Sequence, residues 1–243
     1  MWSIYRKEIS NFFSSLIGYL VIGGFLMLLG LMLWVFPDNS ILETKFANLD
    51  PLFNVAPLVL MFLIPAITMR SFAEENQTGT IELLVTKPVF DWQIILAKFL
   101  ANQTLVIFAI IPTLVYYITV YLLGSPKGNL DSGAIAGSYL GLMFLGACFV
   151  SIGIFASSLT KNQIVAFIVA TFLCFFFHWG FSYASRMDVF IGKFDSLIQS
   201  FGVEFHYDSI SRGLVDSRDV LYFLSLTGFF MFLTLLMLER RKW

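Results

Sequence analysis

The side chains that could do chemistry are few and scattered. His178 stands in the run Phe175-Phe176-Phe177-His178-Trp179, inside a stretch otherwise free of charge, and an ionisable residue there is by default a candidate for a proton relay. A relay needs a second titratable group, and no Asp, Glu, Lys or Arg falls in any of the long apolar stretches. The pattern favours a structural histidine in an aromatic belt. Cys148 and Cys174 lie in separate stretches without metal-ligand spacing and read as small hydrophobes. Neither the Ser157-Ser158 pair nor Thr160 has a base at helical spacing, so hydrolytic or transferase chemistry finds no constellation. The sequence contains no Gly-x-x-x-x-Gly-Lys-Ser/Thr loop of the kind that cradles nucleotide phosphates. What remains is recognition. Between Arg70 and Lys98, Glu74 and Glu75 form a carboxylate pair, Gly79 and Thr80 make a break, and Ile81, Glu82, Leu83, Leu84 and Val85 continue to Pro88. The spacing predicts a short polar helix, a turn at Gly79, then a helical turn or two with Ile81, Leu84 and Val85 on one face, a shape suited to docking on a soluble protein.

The elements that position this segment belong to a membrane body. Of 243 residues, 58% are hydrophobic, 28 are Phe, and only 13% are charged, which excludes a disordered chain and argues against a water-solvated domain. Six uncharged stretches, 16–36, 53–69, 99–123, 134–159, 164–183 and 220–238, are long enough to cross a bilayer, which takes roughly 17–25 apolar residues. The expected fold class is all-α: a polytopic membrane protein with six transmembrane helices in one domain, 1–243. With both termini inside, Arg6, Lys7, Arg70, Lys87, Lys98, Lys161, Arg240, Arg241 and Lys242 are cytoplasmic and outnumber Lys45, Lys127, Arg186, Lys193, Arg212 and Arg218 outside. That bias predicts an N-in, C-in topology.

Residues 1–15 place Trp2, Tyr5, Ile9, Phe12 and Phe13 three and four apart, opposite Ser3, Arg6, Lys7 and Ser10, the stripe of a helix lying at the membrane surface. The outer loop 184–219 repeats such a stripe through Phe190, Ile191, Phe194, Leu197, Ile198, Phe201 and Phe205, predicting one or two short or re-entrant helices. Gly133, Gly137 and Gly141 set a smooth groove on the fourth span for close packing with another helix. Pro57 and Pro65 in the second span and Pro112 in the third predict kinks, whose freed carbonyls must be satisfied by neighbours or by a water-lined path. Pro57, Pro65 and His178 are therefore candidates for a pathway or an interface.

The pattern Glu-Glu-x-x-x-Gly-Thr-x-Glu-Leu-Leu at Glu74 to Leu84, followed by Pro88 and Lys98, resembles the signature of ABC-2 type permeases, the membrane subunits of ABC transporters. Tyr5-Arg6-Lys7-Glu8 with Phe12-Phe13-Ser14-Ser15-Leu16-Ile17-Gly18-Tyr19, and Ser211-Arg212-Gly213-Leu214-Val215-Asp216-Ser217-Arg218-Asp219-Val220-Leu221-Tyr222 before the last span, are similar to the gliding-motility-associated permease of that family, found in Bacteroidota. The resemblance implies an ABC-2 (type V exporter-like) fold in a bacterial inner membrane and a half-transporter that pairs with a second six-span subunit, in a homodimer or with an auxiliary membrane protein. It further implies that residues 70–98 couple the chain to a separate cytoplasmic ATPase, which would hold ATP and Mg, so the chain itself is not an enzyme. In that role Glu74, Glu75 and Glu82 would meet donors of the ATPase, while Ile81, Leu84 and Val85 enter an apolar groove. A secondary carrier is disfavoured by the lack of midplane charges. A structural anchor of a motility or secretion machine has the same sequence features.

Overall fold

The computed structural model describes residues 1–37, 40–41, 46–80, 90–187 and 194–240, and among these every regular element is a helix. In chain order they are α1 (Trp2–Ser14), α2 (Leu16–Trp34), α3 (Asp50–Thr68), α4 (Arg70–Thr78), α5 (Asp91–Ile110), α6 (Leu114–Leu123), α7 (Ser132–Leu159), α8 (Gln163–Phe175), α9 (Phe181–Ser185), α10 (Asp195–Gln199), α11 (Val203–Ser211) and α12 (Ser217–Glu239). A 3-10 turn, Ile111–Thr113, joins α5 to α6 at Pro112, and a π-turn, Phe176–Gly180, joins α8 to α9. Six helical lengths are long and apolar enough to cross a membrane: Leu16–Trp34, Asp50–Thr78, Asp91–Leu123, Ser132–Leu159, Gln163–Ser185 and Ser217–Glu239. Each overlaps one of the six uncharged stretches.

Two of these helices form the interior. In α3 and α7, 72% of the most apolar window is buried, against 22–33% for the other four, and α7 touches α3, α5, α8, α11 and α12. Glycine permits the central contact: Gly153 of α7 lies directly against the Thr68 side chain of α3, where a Cβ would collide with the Thr68 hydroxyl. That hydroxyl bonds back to the Ile64 carbonyl at 2.9 Å and is not orphaned by its burial. Gly146 similarly receives Val106 of α5, with only 3.1 Å available to a Cβ.

The glycine groove is filled by the chain itself. Gly137 faces Gly213 and Gly141 faces Ile210, so α11 and the turn after it lie in the groove, tied there by Ser138 Oγ donating to the Ser211 carbonyl at 2.8 Å. Gly213 turns the chain at φ +82°, a conformation that other residues adopt with strain. Gly133, at the mouth of the groove, meets only its own capping residue Asp131.

The proline expectation has a specific answer at Pro57. Lacking an N–H, Pro57 leaves the Phe53 carbonyl one turn earlier without its helical donor. The buried Tyr207 hydroxyl of α11 donates to that carbonyl at 2.8 Å, so the defect is satisfied by protein. Pro57 and Pro65 are both buried within this chain's own bundle.

The first helix is amphipathic, and Tyr5 and Phe13 of its apolar stripe rest on α5, whereas Trp2 is exposed. Tyr5 Oη lies 3.1 Å from Thr104 Oγ1, and Phe13 meets Phe108 edge to face at 5.2 Å between centroids. Ser15 ends α1 and caps α2, its Oγ accepting from Gly18 N at 3.3 Å. Between α9 and α12 lie two short helices, α10 and α11; Phe190 and Ile191 lie outside the described residues.

Candidate functional site

Helix α4 prolongs α3 past a one-residue break at Met69 and stops at Gly79, whose φ of +72° is the left-handed conformation that commonly closes a helix. The break leaves the first amides of α4 without helical partners. Ser157, near the end of α7, supplies them from another helix: its Oγ accepts from Phe72 N at 2.9 Å and Ala73 N at 3.0 Å and donates to the Met69 carbonyl at 3.0 Å. One hydroxyl thus uses its donor and both acceptor positions. Asn76 Nδ2 donates to the Thr160 carbonyl at 3.3 Å, one turn further along.

The two faces of α4 differ. Ser71, Phe72, Ala73, Glu75 and Asn76 are buried, whereas Glu74, Gln77, Thr78, Gly79 and Thr80 are exposed. The carboxylate pair seen in the sequence is therefore divided, with Glu74 turned outward and Glu75 turned into the protein. Ile81, Glu82, Leu83, Leu84 and Val85 lie outside the described residues.

Beneath α4 lies a buried charge cluster. Lys98 of α5 has no exposed surface. Its Nζ lies 2.7 Å from Glu8 Oε1 of α1 and 3.0 Å from Glu75 Oε2 of α4, donates to the Ser71 carbonyl, and sits 4.9 Å from the centre of the Phe72 ring. The contact with Glu75 Oε2 is electrostatic, because its geometry falls outside that of a hydrogen bond. Lys7 of α1 donates to the other Glu75 oxygen at 3.1 Å. Asn102, one turn after Lys98, donates to Ser71 Oγ at 2.9 Å. Two ammonium groups thus balance two carboxylates, the condition for burying charge without leaving one uncompensated. Burial alone would lower the Lys7 pKa, but the hydrogen bond and charge of Glu75, with Glu8 and Glu74, outweigh it and hold the ammonium above its ordinary value.

A cavity of about 460 Å³ opens between α1 and α4, its wall including Lys7, Glu8, Arg70, Glu74 and Asn102. Among the described residues no group of His, Cys, Asp and Glu could hold a metal ion. What the cluster can do is mechanical: it binds the helices α1, α4 and α5 into one unit. Lys98, Glu8, Ser71 and Ser157 were not legible as a group, since Lys98 finds Glu8 across 90 positions and Ser157 finds α4 across more than 80. The one available signal was a lysine opening an otherwise uncharged run.

His178 stands apart from this end. It is buried, its ring lying 5.3 Å from Trp179, 6.0 Å from Phe149 and 6.3 Å from Tyr207 between centroids, and its Nδ1 has no hydrogen-bond partner. The aromatic surroundings match the expectation from its sequence neighbours. A second histidine, which the sequence pattern did not single out, is paired at the α11 end: His206 Nδ1 lies 2.7 Å from Asp219 Oδ1.

The chain is 29% identical over 139 residues to the "Probable multidrug ABC transporter permease YbhR" of Escherichia coli (strain K12), and to the protein of that name from Escherichia coli O157:H7 to the same degree. Each alignment takes in 54% of this chain and 36% of the relative, so the chain spans well under half the length of these curated relatives. Residues 2–187 match the family described as ABC-2 family transporter protein. That match begins with α1 and ends just past α9, taking in α4, its charge cluster and five of the six membrane-length helices; the chain belongs to the ABC-2 family of transporter proteins.

Proposed function

We propose that this chain is the permease subunit of an ATP-binding cassette transporter and that α4, with the residues following it, is the surface on which a separate cytoplasmic ATPase rests. The observation that carries the reading is the two-faced construction of α4: a polar helix continues the end of the buried helix α3, is locked on its inner face to α1, α5 and α7, and presents Glu74, Gln77, Thr78, Gly79 and Thr80 unburied. A connecting loop needs no such lock, whereas a lever needs a rigid root and a free surface. On this reading the termini and α4 are cytoplasmic. ATP and Mg belong to the partner, a second six-span subunit completes the path, and ATPase closure drives the path between inward-open and outward-open states.

The motifs at Tyr5 to Tyr19 and Ser211 to Tyr222 favour a gliding-motility or associated secretion system in a bacterial inner membrane, and the name of YbhR supplies the alternative of multidrug export. Both assignments keep the same coupling surface. The test is reconstitution of the chain with its cognate ABC ATPase in liposomes. Vanadate-sensitive ATP hydrolysis should rise on addition of the permease, and Glu74→Lys should weaken association with the ATPase while the chain stays inserted. Unchanged co-purification together with unchanged stimulation in Glu74→Lys would refute the docking assignment. Uptake of a lipophilic dye driven by ATP would favour multidrug export over the motility role.

A further inference from the structure

At the end of the bundle opposite α4, His206 joins three separate pieces of chain. Its Nδ1 lies 2.7 Å from Asp219 Oδ1 in the first turn of α12, its Nε2 lies 2.9 Å from the Ser200 carbonyl in the turn between α10 and α11, and its ring stacks on Tyr222 of α12 at 3.9 Å between centroids. Tyr222 reaches the same turn, its hydroxyl donating to the Phe201 carbonyl at 2.6 Å. The His206 and Asp219 side chains are only 13% and 10% exposed, so water does not readily replace either contact.

A carbonyl oxygen only accepts, and so does an ionised carboxylate. Both ring nitrogens of His206 therefore face acceptors, while a neutral imidazole carries a single N–H. With Asp219 ionised, the two contacts are made together only by the imidazolium. Either neutral tautomer turns a nitrogen lone pair toward an oxygen lone pair at under 3 Å. The charge-assisted bond to Asp219 is the stronger of the two, so loss of the proton releases the Ser200 carbonyl first.

We infer that His206 is a proton-operated clamp, which ties the α10–α11 turn to α12 through Asp219 when protonated and drops that tie when neutral, leaving the turn held by the Tyr222–Phe201 bond alone. The turn it holds leads directly into α11, which fills the Gly137–Gly141 groove and closes the Phe53 carbonyl. The elements packed against α11 offer few competing charges. Helix α7 has no charged residue, α3 has Asp50, the π-turn has His178, and α12 has Arg218, Asp219 and Tyr222 in its first turns, while α10 has Asp195 and α11 itself carries Glu204 and Asp208 with Arg212 just after it. Of these groups, Asp219 and Tyr222 contact the ring. Because the closed clamp holds one proton more than the open one, acid favours closure and base favours opening.

The chain has two histidines, which makes the test direct. The purified full-length protein, labelled with 15N-histidine in lipid nanodiscs, is titrated by NMR, with His206→Gln assigning the signals. Both His206 ring nitrogens should carry protons at the acid end and one should lose its proton as pH rises. In parallel, amide exchange at Ile198 to Gly202, corrected for its intrinsic pH dependence, should quicken roughly tenfold, the loss expected for one charge-assisted bond, and this change should vanish in His206→Gln. Asp219→Asn, which keeps the shape of the acceptor but not its charge, should move the transition to lower pH. An unprotonated ring nitrogen at the acid end, with the turn still protected, would overturn the inference. So would an equal pH response in His206→Gln.

Discussion

Replacing Lys98 by Met keeps most of the side-chain volume and removes the charge. At the observed separations of 2.7 and 3.0 Å, each attraction to Glu8 and Glu75 is about 6 kcal/mol before desolvation is charged against it, taking an effective dielectric near 20. Desolvation offsets most of that in the intact cluster. The variant keeps the carboxylates' desolvation cost without the compensating cation, and breaking a buried pair in this way costs about 3–5 kcal/mol. Glu75 keeps its contact with Lys7, and the Glu8 side chain is 19% exposed, which places the loss near the lower bound. At about 2–4 °C per kcal/mol for a chain of this size, Lys98→Met should melt roughly 6–12 °C below the parent in detergent micelles. The companion variant Lys98→Met/Glu8→Gln/Glu75→Gln removes the stranded charges and should recover at least half the loss. A single variant within about 1 kcal/mol of the parent would refute the reasoning. So would a triple variant no more stable than the single one, since the cost would then lie in packing.

Other perturbations probe contacts further along the chain. Ser157→Ala strands the amides of Phe72 and Ala73 and should cost about 1–3 kcal/mol, with faster exchange of those two amides as the local signature. Tyr207→Phe should cost about 0.5–1.5 kcal/mol, and less in a Pro57→Ala background, where an N–H returns to the Phe53 carbonyl; a cycle showing no coupling would separate the two residues. Asp208, outside the membrane-length helices, has its pKa raised by burial and by Glu204 against the pull of Arg212. Its charged form is therefore disfavoured by folding, so Asp208→Asn should stabilise the chain slightly at neutral pH, by under about 1 kcal/mol, with the gain fading as pH falls toward 3.8, the ordinary value for the group. Chemical unfolding at two pH values checks both the sign and the fading.

The six helices were legible because hydrophobicity is a local property and a span is one local run. The uncharged stretch begins at Phe99, whereas the helix α5 starts at Asp91 and runs on through Lys98, whose charge Glu8 and Glu75 balance. The amphipathic stripe of α1 was visible, whereas its seat on Thr104 and Phe108 was not, since a stripe gives a face and not what the face meets. The carboxylate pair at Glu74 and Glu75 drew notice, but two adjacent helical residues point about 100° apart, and only the packing shows which one turns inward. Ser157 continued the row of small residues after Gly153; that its hydroxyl serves the amides of another helix depends on tertiary register. His206 drew no notice because its partners, Ser200 and Asp219, are unremarkable until the turn brings them together.

Gly153 and Ser157 follow one another at four residues on α7, about 6 Å along its axis. The first accepts the side of Thr68 and the second grips Met69, Phe72 and Ala73. A single pin between two rods still lets them swivel, but two dowels a turn apart stop both swivel and slip. A torque applied at α4 is thereby delivered to α3 and α7 as a joined beam, leaving the more exposed outer helices as the surfaces along which relative motion can occur.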